Sequence, residues 1–539
     1  MGALKISPAS RRVMNLGHFL KQAADLYPKQ TALVWGERSW SWAASNARVD
    51  AACAALAKLG VGKGDRILVQ ARNSNAMFES MFAAFKLGAV WVPVNFRLLP
   101  DDVANLADAS GARLLLYEAK FGAHAEAAVK RAGSLAGVVA LDRARPGATS
   151  WESLLAEHAG VSFASAAVEY DDPCWFFFTS GSTGHPKAAV LTHGQMGFVV
   201  TNHIADLMPG LGAQDVSLVV APLSHGAGIH QLIQVARGTP TVLPVGERFD
   251  ADEIFRLIER HRVSNMFTVP SIVKLMVEDA AVDRYDHSSL RHVIYAGAPM
   301  YRADQSYALG KLGKCLVQYF GLGEVTGNIT VLPAHLHDAD DNKQGRIGSC
   351  GYARTAMQVS IQDDAGAELP RGQTGEICVV GPAVFAGYFN NEAANAKAFR
   401  NGWFRTGDLG HMDAQGFLYI PGRNSDMFIS GGSNIYPREI EEKILCHPQV
   451  REVAVVGMPD AKWGEIGVAA VVTTEPACLT GEDLIGWMKS NIAGYKVPRK
   501  VVFFDELPKS GYGKVPKRMV RDELEARGLL ADLAKATGT

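Results

Sequence analysis

Apolar residues in the first half of the chain recur at helical spacing and alternate with short, continuously apolar runs. The helical spacing predicts helices over 16–28 and 46–60, and Gly60 marks the end of the second. The apolar runs predict buried strands; they are "DRILVQA" (65–71), "ARLLLYEA" (112–119) and "GVVAL" (137–141). Between them, "NSNAMFESMFAAFKLGAVWVPV" predicts a helix, a glycine stop and another strand. This alternation favours parallel sheets covered by helices, an α/β fold.

Near residue 420 the pattern changes. The stretch "GFLYIPGRNSDMFISGGSNIYP" concentrates glycine, proline, serine and asparagine between two periodic regions, which is typical of a linker. Beyond it the sequence predicts a helix at 437–448, strands at 450–459 and 467–474, and a helix at 481–492. We therefore predict three parts: a large N-terminal multi-subdomain α/β domain at 1–420, a linker at 421–426 and a small mobile α+β domain at 427–539.

Composition narrows the function classes. The 539 residues are 48% hydrophobic and 20% charged, with a formal net charge of −1, so no basic excess suggests a nucleic-acid partner. Apolar runs fall short of the ~18 residues needed to span a bilayer, and the N-terminus has no apolar signal region. The seven cysteines are scattered without CxxC pairs, which favours reduced thiols. We expect a cytoplasmic protein.

The segment "TSGSTGHPK" (179–187) has the composition of a phosphate-binding loop. Glycines let backbone N–H groups approach an anion, hydroxyls add donors, and Lys187 adds a cation. The spacing excludes a Walker loop, because His185 and Pro186 separate Gly184 from the lysine. Taken alone, the segment is also compatible with an ordinary surface loop rich in serine and glycine.

Further motifs follow this loop in order along the chain. They are "APLSHGAGIH" (221–230), "YAGAPM" (295–300), "QYFGLGE" (318–324), "WFRTGDLG" (403–410), "GRNSDMFISGGSNIYPREIE" (422–441) and "LPKSGYGKVPKR" (507–518). With "TSGSTGHPKAAVLTH" they resemble the signatures of the adenylate-forming enzymes, which include acyl-CoA synthetases, luciferases and the adenylation domains of peptide synthetases. The resemblance extends from about residue 15 to residue 525.

The resemblance implies a set of ATP and AMP contacts. Phe320 would stack on adenine, and Asp408 and Arg423 would bind the ribose hydroxyls. The full set comprises Thr179, Ser180, Gly181, Ser182, Thr183, Gly184, Lys187, Gly297, Ala298, Pro299, Phe320, Gly321, Asp408 and Arg423. It also implies Mg²⁺ on Glu324 and Thr183, and catalytic roles for Lys514, Glu324 and His225, the last as a pocket-lining group rather than an acid or base.

The resemblance also implies the remaining substrate sites. The acyl pocket would comprise His225, Gly226, Ala227, Ala296 and Gly321. Gly431 and Gly432 would border the tunnel for coenzyme A, and Ser425 would be the hinge. Little chain follows the lysine motif, so we expect free coenzyme A, not a carrier domain, as the acceptor. The expected small-molecule partners are a carboxylic acid, ATP and coenzyme A; the sequence leaves a homodimer open.

Three positions depart from the usual family pattern. Gly323 stands where a threonine usually precedes the glutamate, Ala188 where a glycine follows the lysine, and Ser425 where the hinge usually has Asp or Lys. The change from glycine to Ala188 is expected to have a mild effect unless the backbone at this position needs a positive φ. Gly323 and Ser425 favour an alternative, a degenerate protein that binds acyl-AMP or nucleotide without completing the transfer.

The expected reaction is activation of a carboxylic acid as acyl-AMP, followed by transfer to coenzyme A. Glycines at 226 and 228 indicate open volume beside His225, so the acid is expected to be a medium- or long-chain fatty acid or an aryl acid. Of these two classes, the sequence slightly favours the fatty acid. Each charged residue taken alone is compatible with a solvated or turn-forming role; this holds for Glu324, Asp408 and Lys514. Their occurrence together, in the family's order, favours a ligase over an ATPase.

Overall fold

The structure of the protein is a computed structural model. It describes residues 11–143, 149–179, 186–246, 248–298, 300–343, 346–423, 426–430, 433–460, 463–474, 479–509 and 515–528. We call residues 11–423 the N-terminal part and residues 426–528 the C-terminal part.

A seven-stranded sheet gathers most of the predicted strands. In spatial order its strands are Lys187–Thr192, Pro173–Thr179, Val90–Pro93, Arg66–Gln70, Leu114–Tyr117, Gly137–Ala140 and Thr149–Ser150. The strands from Pro173–Thr179 to Thr149–Ser150 run parallel, as the alternation of helix and strand predicts. The edge pair Pro173–Thr179 and Lys187–Thr192 is antiparallel, which sets Thr179 opposite Lys187.

A nine-stranded sheet forms the second layer. In spatial order its strands are Tyr352–Ala353, Thr330–Leu332, Leu316–Phe320, His292–Tyr295, Asn265–Thr268, Ser217–Val219, Thr241–Leu243, Thr31–Trp35 and Arg38–Ser41. The central strands are parallel, so the segments that follow them emerge at one edge. Ligand sites of parallel sheets form at the carboxyl ends of strands.

Two antiparallel-rich sheets complete the fold, with a short pair, Arg12–Val13 and Val168–Glu169, beside them. The third sheet of the N-terminal part comprises Gln358–Gln362, Gly375–Val380, Trp403–Met412, Phe399–Arg400 and Leu418–Arg423. The C-terminal part has its own sheet of Ser433–Ile435, Phe428–Ser430, Gly464–Thr473, Val450–Asp460 and Lys500–Phe503.

Helices cover these sheets. The α-helices are His18–Leu26, Trp42–Lys58, Asn75–Leu87, Pro100–Ser110, Gly122–Arg131, Trp151–Glu157, His193–Asp206, Gly226–Ala236, Ala251–His261, Pro270–Glu278, Arg302–Leu312, Glu392–Ala398, Pro437–Ile444, Gly481–Lys489 and Lys517–Ala526. Short 3₁₀ turns occupy Ala119–Phe121, Ala280–Asp283, Gly323–Val325, Ala334–Leu336 and Gly494–Lys496. The predicted α/β class is confirmed.

Within the described residues, every helix is too short or too polar to cross a bilayer. The six cysteines in this part of the chain are free thiols, and five of them are buried. Burial raises the pKa of Cys350 to about 12, so this thiol stays protonated.

Candidate active site

The candidate site lies where the three sheets of the N-terminal part meet. Thr179 ends a strand of the seven-stranded sheet, and Glu324 follows a strand of the nine-stranded sheet. The Thr179 hydroxyl donates a hydrogen bond to Glu324 Oε1 over 3.1 Å. Tyr388, in the segment after Gly375–Val380, donates its hydroxyl to the same oxygen over 2.9 Å. One buried carboxylate thus connects all three layers.

A tight turn points Glu324 into the site. The 3₁₀ turn Gly323–Val325 is followed by Thr326 at φ 53° and Gly327 at φ 79°, both in the left-handed region. Such conformations are costly for a residue with a side chain and concentrate at functional sites. The Phe385 amide donates to the Glu324 carbonyl over 2.8 Å, which fixes the turn to the third sheet.

The geometry of Glu324 fits a magnesium ligand. Both hydroxyls converge on Oε1, and among the described residues no donor bonds to Oε2. In that same part of the chain no group of three or more Asp, Glu, His or Cys side chains could hold a metal by itself. Magnesium is usually held by one or two carboxylates together with substrate phosphates, so a single free carboxylate oxygen suits it.

Lys187 faces this carboxylate across an aromatic ring. Its ammonium lies 5.2 Å from the centroid of the Tyr388 ring, a cation–π geometry. Tyr388 was not identified from the sequence; the only local signal is a glycine before an aromatic residue, beyond a buried strand.

Ala188, the departure beside Lys187, has a plain structural role. It lies in a strand, its φ is not among the positive values, and its side chain packs in an apolar cluster with Phe176. The position therefore needs no glycine, as expected.

Asp408 and Arg423 come together through strand pairing. Trp403–Met412 and Leu418–Arg423 are antiparallel, and their register sets Asp408 opposite Arg423. Asp408 is 5% exposed, and its amide donates to the Thr406 hydroxyl over 3.1 Å. The two residues expected to bind ribose thus lie opposite each other on paired strands of the third sheet.

The residues expected to contact adenine follow two neighbouring strands of the nine-stranded sheet. Gly297 and Ala298 form an exposed turn after His292–Tyr295, where Gly297 has φ 80°. Phe320 ends the adjacent strand and is half-buried. A Cβ on Gly321 would lie 2.4 Å from the Gly327 Cα, so this position accepts no side chain.

His225 lines the site beside aromatic rings. It directly precedes helix Gly226–Ala236, and its ring centroid lies 4.8 Å from that of Phe177. Nδ1 lies 2.9 Å from the carbonyl oxygen of Ser224. Phe267 and Tyr319 stack nearby, with centroids 5.9 Å apart and an interplanar angle of 19°.

The interpretation of the glycines after His225 as open volume was wrong. A Cβ on Gly226 would lie 2.5 Å from Phe267 Cζ, so the space beside this glycine is filled by that ring. A Cβ on Gly228 would lie 2.0 Å from the Leu223 carbonyl oxygen. Ala227 and Ala296 are both 2% exposed. These small residues allow close packing around the aromatic rings.

A buried arginine lies behind the Tyr319 ring and was also missed. The Arg354 side chain is fully enclosed; it contacts His203 Nδ1 at 3.3 Å and Asp206 Oδ2 at 3.5 Å. Burial lowers its pKa to about 10 although Asp206 opposes the shift. Arg354 is only 1% exposed, so its charge is shielded from solvent.

The remaining predicted residues lie outside the described part of the chain. They are Ser180, Gly181, Ser182, Thr183, Gly184, Pro299, Ser425, Gly431, Gly432 and Lys514, together with the side chain of Arg423. Their roles stay predictions.

A buried carboxylate joins the C-terminal part to the N-terminal part. Glu441 is 3% exposed and accepts from the Tyr301 hydroxyl at 3.1 Å and from the Val455 amide at 2.6 Å. Tyr301 bonds to Oε2, whereas the Lys517 ammonium contacts Oε1, the oxygen that also accepts from Val455. Three elements of the C-terminal part are thereby tied to Tyr301.

Sequence comparisons agree with this architecture. Residues 20–389 match the family described as AMP-binding enzyme, and residues 439–514 match the AMP-binding enzyme C-terminal domain. The chain is 35% identical to a feruloyl-CoA synthase of an Amycolatopsis species over 95% of this chain and 99% of that protein. It is 32% identical to the long-chain-fatty-acid–CoA ligase FadD13 of Mycobacterium tuberculosis, again over 95% and 99%.

A solved structure supports the same assignment. The o-succinylbenzoate CoA synthetase of Bacillus subtilis, in complex with its acyl-adenylate intermediate, superimposes with a TM-score of 0.82 at 29% identity, covering 95% of this chain and 98% of that one. The chain therefore belongs to the AMP-binding enzyme family, as an adenylate-forming enzyme of the acyl-CoA synthetase type.

Proposed function

We propose that the protein is an ATP-dependent acid:CoA ligase whose acid carries a flat aromatic group. The convergence of Thr179, Tyr388 and Glu324 beside Lys187 supports the adenylation step, since it offers an oriented carboxylate and a separate cation to ATP. Asp408 on the neighbouring sheet edge is suited to the ribose hydroxyls, because two carboxylate oxygens can accept from both.

The chemistry follows in two steps. A carboxylate oxygen of the acid attacks the α-phosphorus of ATP, the bond to pyrophosphate breaks, and acyl-AMP forms. The sulfur of coenzyme A then attacks the acyl carbon, loses its proton and releases AMP. Bound Mg²⁺ supplies charge neutralisation on the phosphates. The protein orients two anions that otherwise repel each other; Glu324 Oε2 would hold the metal, and Lys187 would contact phosphate.

The division of labour between the two parts is also a proposal. The C-terminal domain, 427–539, would rotate about the linker 421–426, with Ser425 as hinge, presenting first Lys514 and then the Gly431–Gly432 segment. The separate sheet of the C-terminal part supports this division. Rotation would break the hydrogen bonds that join the parts, among them Tyr301 to Glu441 and the Arg302 amide to Glu442.

The aromatic wall supports an aryl acid over a long fatty acid. Phe267 occupies the space beside Gly226, and Tyr319 stacks behind it. Phe177 and His225 form another pair of rings. An aromatic acid gains from offset stacking against these rings, an interaction that an alkyl chain does not make. The fatty acid is the second candidate, favoured by the fatty-acid ligase relative.

A panel of carboxylic acids tests the function. With ATP, Mg²⁺ and coenzyme A, cinnamate-like acids should cause stoichiometric release of pyrophosphate and AMP, and dodecanoate should give less. Phosphate release without any acid would identify an ATPase. Release of neither product with any acid would support the degenerate binding protein.

Replacing Phe267 with valine should shift the acid preference. Opening the space beside Gly226 is expected to raise the ratio of kcat/KM for dodecanoate over cinnamate about tenfold or more, since pocket volume changes of this size discriminate by that factor. Both acids are assayed by AMP release, at a temperature at which the variant and the wild type are both folded.

Phe255→Val is the control for this variant. Phe255 is 0% exposed and Phe267 is 8% exposed, but Phe255 packs in a different cluster beside His287. Its truncation therefore removes a similar volume away from the site. An unchanged preference in Phe267→Val, or an equal shift in Phe255→Val, would contradict the proposed pocket.

A further inference from the structure

Tyr388 is held rigidly between the two charged groups of the site. Its amide donates to Asn395 Oδ1 at 2.7 Å, and Asn395 Nδ2 donates back to the Tyr388 carbonyl at 3.0 Å. The adjoining backbone pairs with the strand Lys187–Thr192, through bonds from the Val190 amide to Gly387 and from the Phe389 amide to Ala188. The backbone that carries the ring is thus held on both sides.

The ring separates a cation from an anion. The Lys187 ammonium lies over the ring face, and the hydroxyl at the ring edge donates to Glu324. No ion pair joins Lys187 to Glu324. Direct pairing would neutralise both groups, because opposite charges in a partly buried site attract strongly. A lysine paired with this glutamate could not meet phosphate, and the glutamate would lose its free oxygen.

We propose that Tyr388 is a positioning residue that keeps Lys187 and Glu324 apart and turns Glu324 Oε2 toward the metal of MgATP. This inference rests on the proposed function, in which both groups bind the nucleotide. The ring keeps Lys187 and Glu324 apart, and the hydroxyl orients Glu324 Oε2. The two tasks can therefore be separated by substitution.

Binding of nucleotides measured by calorimetry tests this role without turnover. Tyr388→Phe keeps the ring and removes the hydroxyl, so affinity for ATP in the presence of Mg²⁺ is expected to fall about tenfold, the usual effect of losing a group that orients a metal ligand. Affinity for ATP without Mg²⁺ and for AMP should stay near wild type. Tyr388→Leu also removes the ring, so affinity for metal-free ATP should fall as well.

Tyr285→Phe is the matched control. Its hydroxyl also donates to a carboxylate, Asp252, at 3.2 Å and 3.3 Å, but it lies on another element. This control should bind every nucleotide as the wild type does. Wild-type affinity of Tyr388→Phe for MgATP, or an equal loss for AMP, would overturn the proposed role. Failure of the wild type to bind ATP at all would instead count against the proposed function.

Discussion

Replacing Lys514 with alanine is expected to slow acyl-AMP formation by about 10²–10³-fold, the usual cost of removing one group that stabilises developing charge. Thioester formation from preformed acyl-AMP and coenzyme A should continue near the wild-type rate. The reason is that only the first step brings two anions together at the α-phosphate. The position of this lysine rests on the motif "GYGKVPK" (511–517).

The helix that follows Lys514 contacts the N-terminal part through side chains. Helix Lys517–Ala526 begins three residues later, and its Lys517 contacts Glu441, which accepts from Tyr301 of the N-terminal part. Glu441 thus connects the helix that follows Lys514 to the N-terminal part.

Each half-reaction is measured separately. Pyrophosphate release in a single turnover reports the first step, and thioester formation from synthetic acyl-AMP reports the second. Lys509→Ala is the control, because this lysine lies in the same segment but bonds to the exposed Glu506. Equal loss of both half-reactions in Lys514→Ala would contradict the assignment of Lys514 to the adenylation step.

Local patterns explain why much of the fold was predictable. The strand "DRILVQA" and the helix ending at Gly88 form as predicted, because continuous apolar runs and a left-handed glycine are strong local signals. The helix predicted at 46–60 begins earlier, at Trp42. Its N-cap is Ser41, whose hydroxyl accepts from the Ala44 amide at 3.2 Å, a signal that apolar spacing does not contain.

The site was less predictable because its contacts are made across sheets. Glu324 and Asp408 belong to motifs and are brought into buried positions on neighbouring sheets. Tyr388 contacts Glu324 only because its segment runs beside the strand of Lys187, 201 positions earlier in the chain. The small side chain at Gly226 indicated an open pocket. The sequence does not show that a side chain from another strand, Phe267, fills the space beside this glycine.

Restoring the family's threonine at position 323 is expected to lower kcat/KM about 100-fold, although it adds the usual hydroxyl. A Cβ there would lie 2.6 Å from Phe177 Cδ1 and 3.0 Å from Thr179 Cγ2. Overpacking of this kind costs about 1–3 kcal/mol in stability. Relief requires movement of Phe177 or of the turn that carries Glu324, and a shift of about 1 Å at a reacting group can cost about 10²-fold.

The clash identifies Gly323 and Phe177 as a matched pair. The double variant Phe177→Leu/Gly323→Thr should recover much of the lost activity, because a smaller residue at 177 makes room for the new side chain. Gly310→Thr is the control, since a Cβ at that helical glycine meets nothing within 4 Å. Activity, ATP binding and thermal stability are compared across the four proteins.

The coupling between the two substitutions decides between the enzyme and the degenerate protein. If Gly323 were a sign of decay, restoring threonine would raise activity or leave it unchanged, and Phe177→Leu would not alter the outcome. A loss in the single variant with recovery in the double variant means that the glycine is required by the large ring beside it. Glu324 then keeps its hydrogen bond from Thr179 because residue 323 has no side chain.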